Sequence, residues 1–167
     1  MKGITFIGMP GAGKTTVGKI LAEKMNCRFV DLDSLIFEKS GISHHELMKQ
    51  KGEGELKALE EKYALEIDFN DIVFSPPGSM VFSEKVMEKA KNESVVIYLK
   101  VSKDGIEKRL GENLYKDGII GLETKGLAGV ISERVPLYEK YNDFIIETDG
   151  LEPETIMFKI FNLLKII

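Results

Sequence analysis

The segment "GMPGAGKT" (residues 8–15) decides the fold class, because it fits the pattern G-x4-G-K-[ST] at every specified position. It follows a short apolar run, "ITFI" (4–7), and precedes a segment with apolar residues at helical spacing. Between a strand and a helix, such a glycine-rich loop can wrap its backbone N–H groups around phosphate, and the helix N-terminus favours the anion. The segment therefore predicts a nucleotide-binding loop, and not a glycine turn that fits the pattern by chance.

The composition is that of a single globular domain over residues 1–167, with 43% hydrophobic residues, 30% charged residues and a net charge of −4. The acidic balance argues against non-specific nucleic-acid binding, which requires a basic face. Every apolar run is shorter than the ~18 residues that a membrane-spanning helix needs, and the N-terminus lacks a signal-peptide pattern. We expect a cytoplasmic monomer with no nucleic-acid or membrane partner. The single cysteine, Cys27, excludes an internal disulfide.

Short apolar runs alternate with helical patterns along the chain. The strands are predicted at 4–7, 28–33, 71–74, 94–101 and 143–148, and the helices at 14–25, 55–67, 83–91, 103–110, 127–141 and the C-terminus. A further helix is predicted to begin near Ser43, which forms a capping-box pattern with Glu46. Strands separated by helices indicate an α/β fold in three layers, a doubly wound five-stranded parallel sheet. The glycine-rich stretch 111–126 shows no period and is expected to be a mobile loop.

Ligands of such sheets bind beyond the carboxyl ends of the strands. The segment 8–15, the aspartates after the second strand and the segment 75–79 all follow strand ends, so we expect them to converge. Lys14 is expected to reach the β- and γ-phosphates of the nucleotide, and the Thr15 hydroxyl to ligate Mg²⁺.

Asp31 and Asp33 end the predicted second strand, "FVDLD" (29–33). Alternation along an extended chain directs both carboxylates to the same side. One of them could hold Mg²⁺ through water, and the other could take or orient a proton from an acceptor hydroxyl. The alternative is that Asp33 caps a helix beginning with "SLIFEK", because aspartate is a good N-cap residue.

Other charged side chains have plainer interpretations. His44 and His45 are predicted to lie at a solvated helix start, and Lys57 and Glu60 are spaced as a pair on one helix face. Arg134 alone would be a surface arginine. The loop after Arg109 could close over the transferring phosphoryl group as a lid, with Arg109 and Lys116 as phosphate or base contacts; the alternative is a flexible surface loop.

Together these motifs resemble the shikimate kinase family over nearly the whole chain. The family pattern places a phosphate loop, an aspartate pair, G-E-x-x-F-R-x-x-E, a triple glycine, a lid and R-x-P-L-Y in this order. The corresponding segments here are "GMPGAGKTT" (8–16), "VDLD" (30–33), "GEGELKALE" (52–60) and "RVPLY" (134–138). The resemblance implies the P-loop kinase architecture of the nucleoside monophosphate kinases. It also implies a substrate-binding subdomain at about 33–62 and a lid at about 111–126.

The resemblance further implies ATP-dependent phosphorylation of one ring hydroxyl of shikimate. Lys14 and Asp33 would be catalytic, with Asp33 meeting the hydroxyl, and Thr15 and Asp31 would lie at the Mg²⁺ ion. Substrate contacts would come from Asp33, Lys57, Pro77, Gly78, Ser79, Lys116 and Arg134, with Arg134 holding the carboxylate. The nucleotide would contact Gly8, Gly11, Ala12, Gly13, Lys14, Thr15 and Thr16, and Arg109 would pack on its adenine beside the loop that carries Thr148 and Pro153.

The departures from the family pattern are concentrated on the substrate side. Lys57 stands where the family has an arginine, Lys116 takes the place of the lid arginine, and "DGIIGL" (117–122) replaces an "RPLL"-like run. The triple glycine becomes Pro76, Pro77 and Gly78, and proline has no N–H to donate. Lysine offers a carboxylate a point charge instead of the planar fork of arginine.

Three functions are therefore compared. The first is a kinase that phosphorylates shikimate, and the second is a sister kinase acting on another hydroxy acid or polyol. The third is a nucleotide-binding module without kinase chemistry, against which intact Lys14, Thr15 and Asp33 argue. A GTPase would need an N-K-x-D signature, which the sequence lacks, and a nucleoside monophosphate kinase usually has an arginine-rich lid and core.

Overall fold

The computed structural model describes residues 2–115 and 118–165. Its five strands are β1 (Gly3–Ile7), β2 (Arg28–Asp31), β3 (Ile72–Ser75), β4 (Ser94–Lys100) and β5 (Phe144–Glu147). Its α-helices are α1 (Lys14–Met25), α2 (Leu32–Ser40), α3 (His44–Leu65), α4 (Glu84–Glu93), α5 (Lys103–Leu110), α6 (Leu122–Tyr141) and α7 (Pro153–Leu164). Short 3₁₀-helices span Gly78–Phe82 and Gly111–Tyr115.

The strands form one parallel sheet in the order β2-β3-β1-β4-β5. Strand β1 lies at the centre, and all five of its residues are buried. The buried positions of β1, β3 and β4 are apolar with few exceptions, because helices cover both faces of a parallel sheet. The predicted α/β fold with a doubly wound parallel sheet is confirmed.

The predicted end of the second strand and the predicted direction of Asp33 are both wrong. Strand β2 ends at Asp31 instead of residue 33, so Asp33 lies in the first turn of α2 and strand alternation does not set its direction. Asp31 caps that helix, since its Oδ1 accepts a hydrogen bond from Ser34 N at 3.1 Å. A single aspartate thus both ends the strand and starts the helix.

The described part of the stretch 111–126 contains regular secondary structure that the sequence does not predict. It contains the 3₁₀-helix Gly111–Tyr115 and the start of α6, and Ile119, Ile120 and Leu122 are buried. Apolar burial overrides the absence of a helical period here. Lys116 and the beginning of "DGIIGL" lie outside the described residues.

Glycines break two of the helices. Gly52 in α3 has φ 82° and ψ 168°, and Gly126 in α6 has φ 64° and ψ 173°. Both conformations are costly for residues with a Cβ atom. Each helix is therefore two segments joined by a bend. Within the described part of the chain, no helix is long and apolar enough to cross a membrane.

The close approach of Gly3 to the chain before β3 predicts a large effect of Gly3→Ala on stability. A Cβ atom at this position would lie 1.9 Å from the backbone oxygen of Phe69, which cannot move away alone. We expect the free energy of unfolding to fall by about 1–3 kcal/mol, as for other overpacked sites. The measurement is the urea midpoint followed by circular dichroism.

The matched control is Gly54→Ala, because Gly54 is in α3 and nothing lies within 4 Å of an added Cβ atom. We expect its unfolding free energy to be unchanged or raised by up to about 1 kcal/mol, since alanine favours helix over glycine. Equal urea midpoints for the two variants would contradict the packing described for β1.

Candidate active site

A cleft of about 860 Å³ opens beyond the carboxyl ends of the strands. Residues from the three segments that were predicted to converge line it, which confirms this prediction, and residues of three further segments join them. They include Gly11, Ala12, Gly13, Lys14, Thr15 and Thr16 of the phosphate loop, Asp31 and Asp33, Ser75, Pro77, Gly78 and Ser79, Arg109 and Arg134, and Pro153.

The phosphate loop adopts a glycine-dependent conformation. Gly8, Gly11 and Gly13 have φ values of 146°, 79° and 94°. Lys14 Nζ donates hydrogen bonds to the carbonyl oxygens of Gly8 at 2.9 Å and Met9 at 3.2 Å. Burial lowers the pKa of Lys14 to about 8, although the nearby carboxylates oppose this shift. These two hydrogen bonds thus hold the Lys14 side chain against the backbone of the loop.

Three oxygen-bearing side chains meet where α1 begins. Thr15 Oγ1 donates to Asp31 Oδ2 at 2.9 Å, and Ser75 Oγ lies 3.4 Å from the same hydroxyl. The register of β2 and β3 places Asp31 opposite Ser75. Hydroxyl and carboxylate oxygens are ligands that Mg²⁺ prefers. The group fits Mg²⁺, and Ser75 joins the predicted Thr15 and Asp31.

Arg109 links α5 to the phosphate loop and to the end of β5. Its Nη1 donates to the carbonyl oxygen of Gly11 at 3.0 Å and to Thr148 Oγ1 at 3.1 Å, and its Nη2 donates to the Thr148 carbonyl oxygen. Pro153, at the start of α7, lines the same cleft as Arg109. Of the three residues predicted at the adenine, Arg109 therefore contacts Thr148 and shares the cleft with Pro153.

Asp33 projects from the first turn of α2 into the cleft. Its side chain is 47% exposed, but Oδ1 is solvent-excluded and has no hydrogen-bond partner among the described residues. Enclosure by the cleft walls raises the pKa of Asp33 to about 6, although His44 and Lys14 favour its charged form. Asp33 itself is one of the residues that line the cleft.

His44 and Glu60 form an ion pair beside Asp33. His44 Nε2 lies 2.8 Å from Glu60 Oε1 and 3.9 Å from Asp33 Oδ1. The predicted solvated position of His44 is wrong, because only 16% of its side chain is exposed, and Glu60 pairs with His44 instead of Lys57. Burial opposes the charged imidazole, but the hydrogen bond that His44 donates to Glu60 and the charges of Asp33 and Glu60 raise the pKa of His44 above 6.5.

Arg134 is buried in α6 at the acceptor side of the cleft, with only 2% of its surface exposed. The predicted interpretation of Arg134 alone as a surface arginine is therefore wrong. Its Nη2 donates to the carbonyl oxygen of Ile120 at 2.8 Å. Tyr138, one turn later, donates its hydroxyl to the Gly78 carbonyl oxygen at 2.8 Å. An added Cβ atom at Gly78 would lie 3.0 Å from both Arg134 Nη1 and the Gly8 carbonyl oxygen, so glycine at this position allows the segment after β3 to approach the guanidinium closely.

Lys57 lies away from Asp33 and close to Arg134. The two cations line a second cavity of about 410 Å³ and flank the ring of Phe82, with Lys57 Nζ at 5.5 Å and Arg134 Cζ at 5.9 Å from its centroid. Arg134 also lines the main cleft and so connects the two. Two of the predicted substrate cations are therefore together, and the third, Lys116, lies outside the described residues.

The sheet order, the phosphate loop after β1 and the carboxylate-lined cleft define the class of protein. They are those of a P-loop kinase fold of the nucleoside monophosphate kinase type. The particular family follows from direct comparison: residues 10–165 match the family model "Shikimate kinase", and the chain belongs to that family.

Relatives that match nearly the whole chain are named shikimate kinase. A shikimate kinase of Sulfurihydrogenibium sp. is 34% identical and covers 99% of both chains. One from Thermodesulfovibrio yellowstonii is 33% identical over 96% of this chain and 93% of its own. Among solved structures, shikimate kinase from Acinetobacter baumannii in complex with shikimate has a TM-score of 0.89 and 26% identity over 98% of this chain and 93% of that chain.

The contacts of Arg109 predict that Arg109→Ala weakens nucleotide binding. The substitution removes the guanidinium that joins Gly11 to Thr148, so the phosphate loop and the segment after β5 both lose a charged donor. We expect the dissociation constant for ADP, measured by calorimetry, to rise about 10-fold or more, as for the loss of a charged hydrogen bond.

The control is Lys108→Ala, which removes an exposed cation from the neighbouring position of α5. Its dissociation constant for ADP should equal that of the wild type. If both variants weaken ADP binding equally, net charge and not the Arg109 contacts is responsible.

Proposed function

We propose that the chain transfers the γ-phosphoryl group of ATP to a ring hydroxyl of shikimate. The observation that carries the proposal is the position of Asp33, whose side chain is 47% exposed and lines the same cleft as Lys14 and the phosphate loop. Family membership supports the acceptor, since a solved relative is a complex with shikimate.

The nucleotide half of the site is supported by the loop geometry. The loop from Gly8 to Thr16 would hold the phosphates through its backbone N–H groups, and Lys14 would move from the Gly8 and Met9 carbonyl oxygens to the phosphate oxygens. Arg109, Thr148 and Pro153 would border the adenine.

Thr15 and Asp31 would hold Mg²⁺, with Ser75 beside them. When bound, the ion would neutralise charge on the phosphates. Phosphoryl transfer depends on positioning and electrostatics more than on covalent help, so we expect no phospho-enzyme. The chain's own contribution is that Asp33 orients the acceptor hydroxyl and receives its proton, while Lys14 stabilises the charge on the transferring group.

The acceptor carboxylate would bind at Arg134, where the main cleft meets the second cavity. Lys57 supplies a second positive charge on the other side of Phe82. Pro77, Gly78 and Ser79 would form the wall opposite, and Lys116 is proposed to contact the substrate from the lid. The chain is proposed to act as a monomer.

A sister kinase for another anionic polyol or hydroxy acid is the second candidate. The observation that favours it is the pair Pro76 and Pro77, which removes two amide donors from this wall, together with Lys57 in the place of the family arginine. Both candidates require the same catalytic half of the site.

Coupled measurement of ADP release tests the proposal. Mg-ATP turnover should rise above the ATP-only rate when shikimate is added, and Asp33→Asn and Lys14→Ala should each lower it by about 100-fold or more, since general-base and electrostatic contributions are of this order. Glu38→Gln, which neutralises an exposed carboxylate on the same helix α2, is the control and should match the wild type.

A panel of hydroxylated acids and polyols separates the candidates. If shikimate gives no turnover above the ATP-only rate and another acceptor does, the sister kinase would be established. If no acceptor raises turnover above the ATP-only rate, the kinase proposal is wrong and a nucleotide-binding module remains. A phosphorylated enzyme trapped during turnover would contradict direct transfer.

A further inference from the structure

The bend at Gly52 brings two distant residues of α3 together. His44 and Glu60 are sixteen residues apart, and a straight helix would separate them by about 24 Å at 1.5 Å per residue. In the structure their side-chain atoms lie 2.8 Å apart. Because only the positive φ of Gly52 allows this fold-back, the pair is specified by tertiary structure and not by helix periodicity.

The pair is unfavourable for the helix alone. His44 is the first residue of α3, where a positive charge opposes the helix dipole. Glu60 is 2% exposed, and a buried carboxylate is costly unless it is paired. A neutral polar pair would avoid both costs. The charged pair therefore requires an explanation beyond the stability of α3.

The third participant is Asp33 on α2. Its Oδ1 atom is excluded from solvent, has no hydrogen-bond partner among the described residues, and lies 3.9 Å from His44 Nε2. The charged groups that face the imidazole are Asp33 from α2 and Glu60 from the second segment of α3. The Nε2 atom of the imidazole is thus near both carboxylates, that of Glu60, which pairs with it, and that of Asp33, which lines the cleft.

We propose that the His44–Glu60 pair is a positioning device for Asp33. Glu60 fixes the imidazole, the imidazole attracts Oδ1 of Asp33, and Oδ2 is thereby presented to the acceptor hydroxyl. This role rests on the proposed function, in which Asp33 receives the hydroxyl proton. His44 and Glu60 are positioning residues, because they act on the acceptor through Asp33.

A divalent cation held by the three side chains is the alternative arrangement, since their ligand atoms lie within 4.8 Å of one another. The 2.8 Å separation of His44 and Glu60 is that of a direct charged hydrogen bond. Two ligands of one tetrahedral zinc ion would be farther apart, at about 3.3 Å for bond lengths of about 2.0 Å. The geometry therefore favours the ion pair.

The test uses His44→Gln, in which the amide can still donate a hydrogen bond to buried Glu60 while the positive charge is lost. We expect kcat for acceptor phosphorylation to fall on the order of 10- to 100-fold, the scale of a misplaced catalytic group, with the KM for ATP and the ATP-only rate unchanged. Lys49→Gln, which removes an exposed cation from the same helix segment, should retain wild-type kcat.

A double-mutant cycle with Asp33→Asn separates positioning from a general structural effect. If His44 acts through Asp33, His44→Gln should cause no further loss of turnover in the Asp33→Asn background. An equal fold-loss in both backgrounds, or no loss in the wild-type background, would overturn the proposal. If a chelator abolishes wild-type activity and added Mg²⁺ does not restore it, the cation arrangement would be indicated instead.

An activity-independent measurement keeps this proposal distinct from the proposed function. The His44 ring is followed by NMR during a pH titration of the wild type, Asp33→Asn and Lys49→Gln. We expect a pKa above 6.5 in the wild type and in Lys49→Gln, and a lower pKa in Asp33→Asn. If neither shikimate nor any acceptor of the panel raises turnover, the proposed function fails. If the pKa of His44 is the same in Asp33→Asn as in the wild type, the positioning contact is refuted.

Discussion

The parallel pairing of β2, β3 and β1 is the constraint on which the site depends. The register that places Asp31 opposite Ser75 also places both at the edge where the phosphate loop leaves β1, so Thr15 reaches them at the start of α1. A slip of one residue would turn the alternate side chains to the other face of the sheet. Strand register, more than side-chain packing, therefore determines that the side-chain oxygen atoms of Thr15, Asp31 and Ser75 meet at this edge.

The acceptor side depends on a different constraint, the non-helical glycines in α3 and α6. Gly52 folds the start of α3 back onto its second segment, and Gly126 separates the first turn of α6 from the segment that carries Arg134. The start of α3 lines the main cleft, whereas Lys57 of its second segment lines the second cavity. A continuous helix would place these side chains tens of ångströms apart, since each residue adds about 1.5 Å.

The sequence predicts the sheet and the phosphate loop well, because buried parallel strands and glycine loops leave strong local patterns. It fails where tertiary contacts decide. Asp33 was expected on a strand, yet Asp31 ends that strand by capping α2. His44 was expected in solvent, and no periodicity could reveal its contact with Glu60, because the partner is sixteen residues away across a bend. Gly52 was the available signal, as a glycine between the helix start predicted near Ser43 and the helix predicted at 55–67.

The two halves of the site recognise their ligands by different physical means. The phosphate loop uses backbone geometry, which tolerates changes of side chain but not of glycine. The proposed acceptor side offers charges: Arg134 is fixed by the Ile120 carbonyl oxygen, whereas Lys57 contributes a point charge near Phe82. Exchange of arginine for lysine keeps the attraction for an anion and loosens its orientation. In the proposed function, selection among anionic polyols would consequently depend more on the wall at Pro76 and Pro77 and on the direction of Asp33.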